Sequence, residues 1–145
     1  MQEKVSLTKL FTFDTAHALE HYPGKCRHIH GHTYHLYVTV TGTIRDEPGH
    51  PFDGMIMDFS ELKQWVRMAV VDQFDHALVL RKGSALASMD YPETDRLFLT
   101  DYEPSCENML LDMVRRLSAS QPTGIRLVRV KLYETPTSFA EWEIG

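Results

Sequence analysis

From His32 to Thr43 the chain reads HTYHLYVTVTGT, and its side chains alternate in character. Tyr34, Leu36, Val38 and Val40 fall on one face, and Thr33, His35, Tyr37, Thr39 and Thr41 on the other. Only an extended strand, whose successive side chains point to opposite sides, turns that spelling into one apolar and one polar surface. Such a strand must bury its apolar face against other elements. Val5 to Phe13, rich in β-branched and aromatic residues, reads as a strand that precedes it. The run IRLVRVKLYET alternates as well: Val128, Val130 and Leu132 share one face, Arg129 and Lys131 the other. Ile125 and Leu127 fall in phase with the basic pair, so that pattern is clean only from Val128 onward. SFAEWEIG is expected to supply a closing strand.

Between these outer strands the period changes from two to that of a helix. In MDFSELKQWVRMAVVDQF, Asp58 can cap the first turn and Glu61 can complete a capping box. Leu62, Trp65, Val66, Ala69 and Val70 then make one apolar stripe. In PSCENMLLDMVRRLSAS, Pro104 and Ser105 mark a helix start, and Leu110, Met113, Val114 and Leu117 form its stripe. Ala18 to Ile29, with Pro23-Gly24, is a loop, and IRDEPGHPFDGM is turn-rich. The segment from Val79 to Glu103 carries mixed signals and reads as loop plus a short element. The expected order is β-β-α-α-β-β, an α+β fold with a four-stranded antiparallel sheet and two helices on one face. At 145 residues, one domain spanning 1–145 is expected. Such a sheet leaves an edge or face in need of cover, so self-association is expected.

A formal net charge of −5 argues against a general nucleic-acid binder. No apolar run approaches the roughly 20 residues a membrane span requires. The start, MQEKVSLTKL, lacks the plan of a signal peptide, so a cytoplasmic location with free Cys26 and Cys106 is expected.

The stretch CRHIHGHTYH holds four of the eight histidines and one of the two cysteines. His30 and His32 are two apart at a strand start and point to the same side. His17 follows the first strand and reaches the same point if the two strands are neighbours. Three imidazoles with an open fourth position describe a catalytic zinc site; a fourth ligand, for which Cys26 is the candidate, would make it structural. Cys26 lies between Lys25 and Arg27, and thiolates, the reactive form of cysteine, are favoured beside cations. Cys106 reads as a small core residue. Asp75 and His76 are adjacent and can pair as carboxylate and imidazole. Glu134, at a strand end, can accept a paired hydrogen bond from an amidine-like edge, or be a solvated charge. Glu107 can simply complement a helix dipole.

Taken in order, FTFDTAHAL, CRHIHGHTY, DFSELK, FDHALVL, PSCENM and LYETPTSFAEW resemble the 6-pyruvoyl-tetrahydropterin and 6-carboxytetrahydropterin synthase family across almost the whole chain. The resemblance implies zinc (Zn²⁺) on His17, His30 and His32, a catalytic Cys26, a catalytic Asp75–His76 pair, and Glu134 and Glu107 holding the pterin. It implies the tunnelling fold, with trimers that stack in pairs and active sites between subunits, so that Asp75 and His76 serve a neighbouring chain. The three-residue spacing from Cys26 to His30 is similar to the bacterial queuosine-pathway 6-carboxy enzymes. The implied substrate is 7,8-dihydroneopterin triphosphate, a small molecule, with acetaldehyde and triphosphate released. Lys25, Arg27 and His28 are suited by charge to attract the triphosphate. Two departures bear on the pocket rim: a long Lys82–Tyr102 segment, and Ser105 where the family commonly has threonine. The alternatives are the pyruvoyl product from the same residues, a zinc-stabilised binding or assembly module, and, last, a zinc hydrolase.

Overall fold

Ser6–His17 (β1) and His30–Thr41 (β2) form an antiparallel pair in unbroken register, from Ser6 opposite Thr41 to His17 opposite His30. His17, expected just past its strand, is thus its last residue. The computed structural model describes residues 3–92 and 96–145, so residues 93–95 of the Lys82–Tyr102 segment lie outside the described residues. Along β1 and β2 the alternation buries Phe11, Phe13, Tyr34, Leu36, Val38 and Val40 on one face. Each wholly buried side chain of this size contributes about 1.5–3 kcal/mol.

Two helices cover that face. The first, α1, is one continuous helix of three parts: α-helical Phe59–Val66, a π turn at Arg67–Val71, and α-helical Asp72–Phe74. Asp58 caps it by accepting from the Ser60 amide at 3.1 Å. The wide turn rotates the buried stripe, so Val70, Val71 and Phe74 are buried while Ala69 is only partly so. The second, α2, spans Cys106–Ala119 and buries Met109, Leu110, Met113, Val114 and Leu117. Its N-cap Ser105 accepts from the Asn108 amide at 3.1 Å. Trp65 Nε1 donates to Ser120 Oγ at 2.9 Å and ties the two helices together.

The expected sheet of four antiparallel strands is corrected to a mixed sheet of six, in the order β4-β3-β1-β2-β5-β6. Ala77–Arg81 (β3) pairs parallel to the end of β1, and Leu97–Thr100 (β4) pairs parallel to β3. Both are short apolar runs: β4 and the last three residues of β3 come from the stretch read as loop with one short element, and Ala77 and Leu78 just precede it. β3 finds its partner far earlier in the chain, with Ala77 opposite Thr15, and β4 adds to β3 in parallel, so no local alternation announces them. Arg126–Thr135 (β5) and Ser138–Glu143 (β6) extend the other side as antiparallel neighbours.

Val128 was expected to share the apolar face of Val130 and Leu132, yet Leu127 is the buried residue. Thr39 pairs with Arg129 and Val40 with Leu127, so Val128 is the extra residue of a β-bulge. The bulge resets the alternation, which explains why Leu127 is out of phase in the sequence. Among the described residues, no helix is long and apolar enough to cross a membrane.

Candidate metal centre and acid–base pair

His17 and His30 are a register pair, and His32 sits two residues along the same face. Their ring centroids are 4.6 Å apart for His17–His30, 4.9 Å for His30–His32 and 5.3 Å for His17–His32. One nitrogen from each lies within 4.8 Å of the others. Period two places all three on the helix-covered face, at the end of the sheet where α2 begins.

Backbone carbonyls decide which nitrogen is free. His17 Nδ1 donates to the Pro104 carbonyl, and His30 Nδ1 to the His28 carbonyl, each at 2.7 Å. A carbonyl only accepts, so the proton sits on Nδ1 and the lone pair on Nε2. Both Nε2 atoms are buried with no hydrogen-bond partner. Buried polar atoms are normally met by something. A cation taking lone pairs from three neutral imidazoles, two of them braced from behind, fits this donor set. Burial lowers the proton affinity of His17 below the ordinary histidine value, against the raising effects of the Pro104 carbonyl and Glu134. Burial lowers that of His32 too, with Glu134 opposing. Neutral rings are the form that ligates.

Glu134 lies beside this cluster on β5. Its Oε1 is 3.5 Å from His17 Nε2 and 3.7 Å from His32 Nε2, and it accepts from the Tyr34 hydroxyl at 3.3 Å. Tyr34 is wholly buried and meets the rings of His17 and His32 edge-on. Burial, then the Glu134 charge, pushes its phenol far above the usual range, so it remains a donor. Cys106, expected to be plain core, is half-buried with its thiol on the Leu132 carbonyl at 3.4 Å. Burial, then Glu134, pushes that thiol up to about 11, which keeps it protonated. Glu107 stays exposed in the first turn of α2.

Cys26 sits in a short 3-10 turn, Lys25–Arg27, where its carbonyl accepts from the Leu19 amide at 2.9 Å. It is half-buried and is not part of the nitrogen cluster. Asp75 and His76 pair through Oδ1 and Nδ1 at 2.9 Å. They gather with Asp14, whose carboxylate accepts from Thr33 at 2.6 Å. Asp14 and Thr33 are opposite each other in register and point to the face away from the histidines. The chain therefore unites His17, His30, His32 and Glu134, and holds Asp75–His76 apart on the reverse face. Sequence reasoning missed the carbonyls of His28 and Pro104, and Tyr34. Carbonyls carry no residue letter, whereas Tyr34 could have been found as the next same-face residue after His32.

An α+β chain with a three-histidine cradle at the end of a mixed sheet is the class these features define. The sequence profile of 6-pyruvoyl tetrahydropterin synthase matches residues 6–144, and the chain belongs to that family. A 6-carboxy-5,6,7,8-tetrahydropterin synthase of Haemophilus influenzae is 32% identical over 141 residues, covering 94% of this chain and 97% of that one. One from Rickettsia bellii is 28% identical, covering 94% of this chain and 99% of that one. Among solved structures, an uncharacterised protein of Wolinella succinogenes superposes with a TM-score of 0.78 at 18% identity, covering 99% of this chain and 100% of that one. The 6-pyruvoyl tetrahydropterin synthase of Caenorhabditis elegans gives 0.69 at 22% identity, covering 99% of this chain and 97% of that one. At those identities the likeness speaks for the fold.

Proposed function

We propose that the chain is a zinc-dependent 6-carboxy-5,6,7,8-tetrahydropterin synthase, a lyase acting on 7,8-dihydroneopterin triphosphate. The observation that carries the reading is the pair of buried, unpartnered Nε2 atoms converging with His32 beside a half-buried carboxylate. Zinc bound there supplies Lewis acidity toward the hydroxyl oxygens of the substrate side chain. His17, His30 and His32 hold it through Nε2, and the carbonyls of Pro104 and His28 keep the rings of His17 and His30 in the ligating tautomer.

Glu134 accepts the paired N–H edge of the pterin, which orients the ring so that its side chain extends toward the histidines. Glu107, exposed in the first turn of α2, assists in holding the pterin. Cys26, off the nitrogen cluster, takes a proton from the substrate side chain, and Lys25, Arg27 and His28 attract the triphosphate. His76, oriented by Asp75, moves protons on the other side. Loss of triphosphate and cleavage of the side chain, with one water consumed to complete the carboxylate, release acetaldehyde and leave the 6-carboxy product. Because Asp75–His76 faces away from its own histidines, the pair serves the centre of a neighbouring copy in a trimer or paired trimers.

The test is product analysis on the zinc-loaded protein with acetaldehyde trapping. Acetaldehyde is expected from the native chain; the pyruvoyl product without it redirects the reading to the sister activity. Cys26→Ala and His76→Ala are each expected to lower turnover about 10²- to 10⁴-fold. Mixed and reassembled, the two inactive variants should regain activity, since some centres then draw intact halves from both. Near-normal turnover by both variants removes the assigned roles.

A further inference from the structure

The Asp75–His76 pair is not held by packing. The His76 side chain is 74% exposed. His76 is also the non-glycine residue with a positive φ, at 61°, among the described residues. A left-handed backbone is disfavoured for a residue with a Cβ and persists only where the surroundings over-determine it.

Three sets of hydrogen bonds do so here. The Asp75 amide donates to the Val71 carbonyl at 2.8 Å, closing the end of α1. The Asp14 backbone brackets the pair: its amide donates to Asp75 Oδ1 at 3.1 Å, and its carbonyl accepts from the His76 amide at 2.6 Å. The third set comes from one side chain. Arg96 Nη2 faces the carbonyls of Asp72 and Gln73 at 3.2 Å each, and also donates to the carbonyl of Asp75. These are carbonyls of the last helical turn and the residue just after it, the negative pole of α1, which a guanidinium suits in charge. Arg96 is itself fixed where β4 begins, its carbonyl accepting from the Leu78 amide at 2.9 Å.

We propose that Arg96 is a positioning residue for the Asp75–His76 acid–base pair, clamping the helix end so that the turn presents the imidazole at one angle. The inference rests on the proposed role of that pair. It also gives the segment between β3 and β4 a purpose, since the last residue of that segment reaches back and braces the proton-moving group.

The experiment compares Arg96→Met and Arg96→Lys in the zinc-loaded protein, at a temperature where circular dichroism shows each variant folded. Arg96→Met is expected to lower kcat about 10- to 100-fold through misorientation. KM and bound zinc should stay within about twofold, a split that general destabilisation does not produce. Arg96→Lys should recover part of kcat, because an ammonium can stand in for the single nitrogen that meets these carbonyls, though on a shorter and looser arm than the guanidinium. If the methionine variant does not fold, the lysine variant carries the test with the same kcat-selective loss. In the Asp75→Asn background, Arg96→Met should cost little more, since the orientation it protects is already lost. Native kcat in the Arg96 variants, or fully additive losses with Asp75→Asn, overturns the proposal while the pair's role stands. Native turnover in Asp75→Asn and His76→Ala instead overturns that role, and the Arg96 assignment with it.

Discussion

The two groups of reactive side chains in this chain are built on opposite terms. His17, His30 and His32 stand at the end of a long antiparallel pairing, with the Pro104 carbonyl just before α2 behind His17. Asp75–His76 sits at a turn where β3 joins β1 through only three register pairs, from Thr15–Ala77 to His17–Val79. The first group is pre-organised by burial and by carbonyls behind the rings. The second is exposed, strained, and steadied from outside itself. A cradle for a cation must exist before the cation arrives, because any reorganisation weakens binding. A proton carrier, the role proposed for the second group, must instead meet a reacting group that comes and goes.

The sharpest way to break that comparison is to remove one ring from the buried group. His30→Ala is expected to lower zinc affinity about 10³-fold or more, with turnover lost in parallel; elemental analysis and product assay read both. His76→Gly is the counterpart on the exposed side. Glycine adopts positive φ freely, so stability in urea should stay level or rise by about 0.5 kcal/mol while turnover is lost. A drop of several kcal/mol would mean the turn is held by the His76 side chain after all.

Ser105→Ala asks how far the start of α2 braces His17. Losing the cap should cost about 1 kcal/mol in urea, with zinc affinity weakened by about 10-fold or less, because the Pro104 carbonyl loses its fixed setting. The last effect is set by pH. His17 and His32 bind protons less readily folded than unfolded, because burial disfavours the charged ring. Their contribution is present above the ordinary value of 6.5 and fades as pH falls below it, where the unfolded chain takes up protons that the native chain resists. The urea midpoint of the zinc-free chain should therefore drop between about pH 7 and about pH 5, and His17→Ala should flatten that slope.

The buried group was also the more legible one. A His-Gly-His at a strand start, plus a histidine at the end of the strand before it, specifies convergence once antiparallel pairing is assumed. Glu134, at the end of an alternating run, was equally readable as a solvated charge, and only the family resemblance gave it a role. The strands β3 and β4 were not legible as such, because a short apolar run has no periodicity of its own and its partner is chosen by the sheet order. The bulge at Val128 was visible only as a break in phase that could not be assigned. Arg96 gave no signal, since what it recognises is a helix end made of backbone carbonyls.

The unbroken register of β1 and β2 has a consequence for how such a protein can diversify. What brings the rings together is the count of residues along the strands, since a slip of one would turn them to the wrong side. The loop at 18–29 plays no part in that count. Up to Arg27 it can grow, shrink or change its thiol-bearing turn while the three rings stay where they are, provided the His28 carbonyl keeps its place behind His30, which leaves the surroundings free to vary around a fixed anchor.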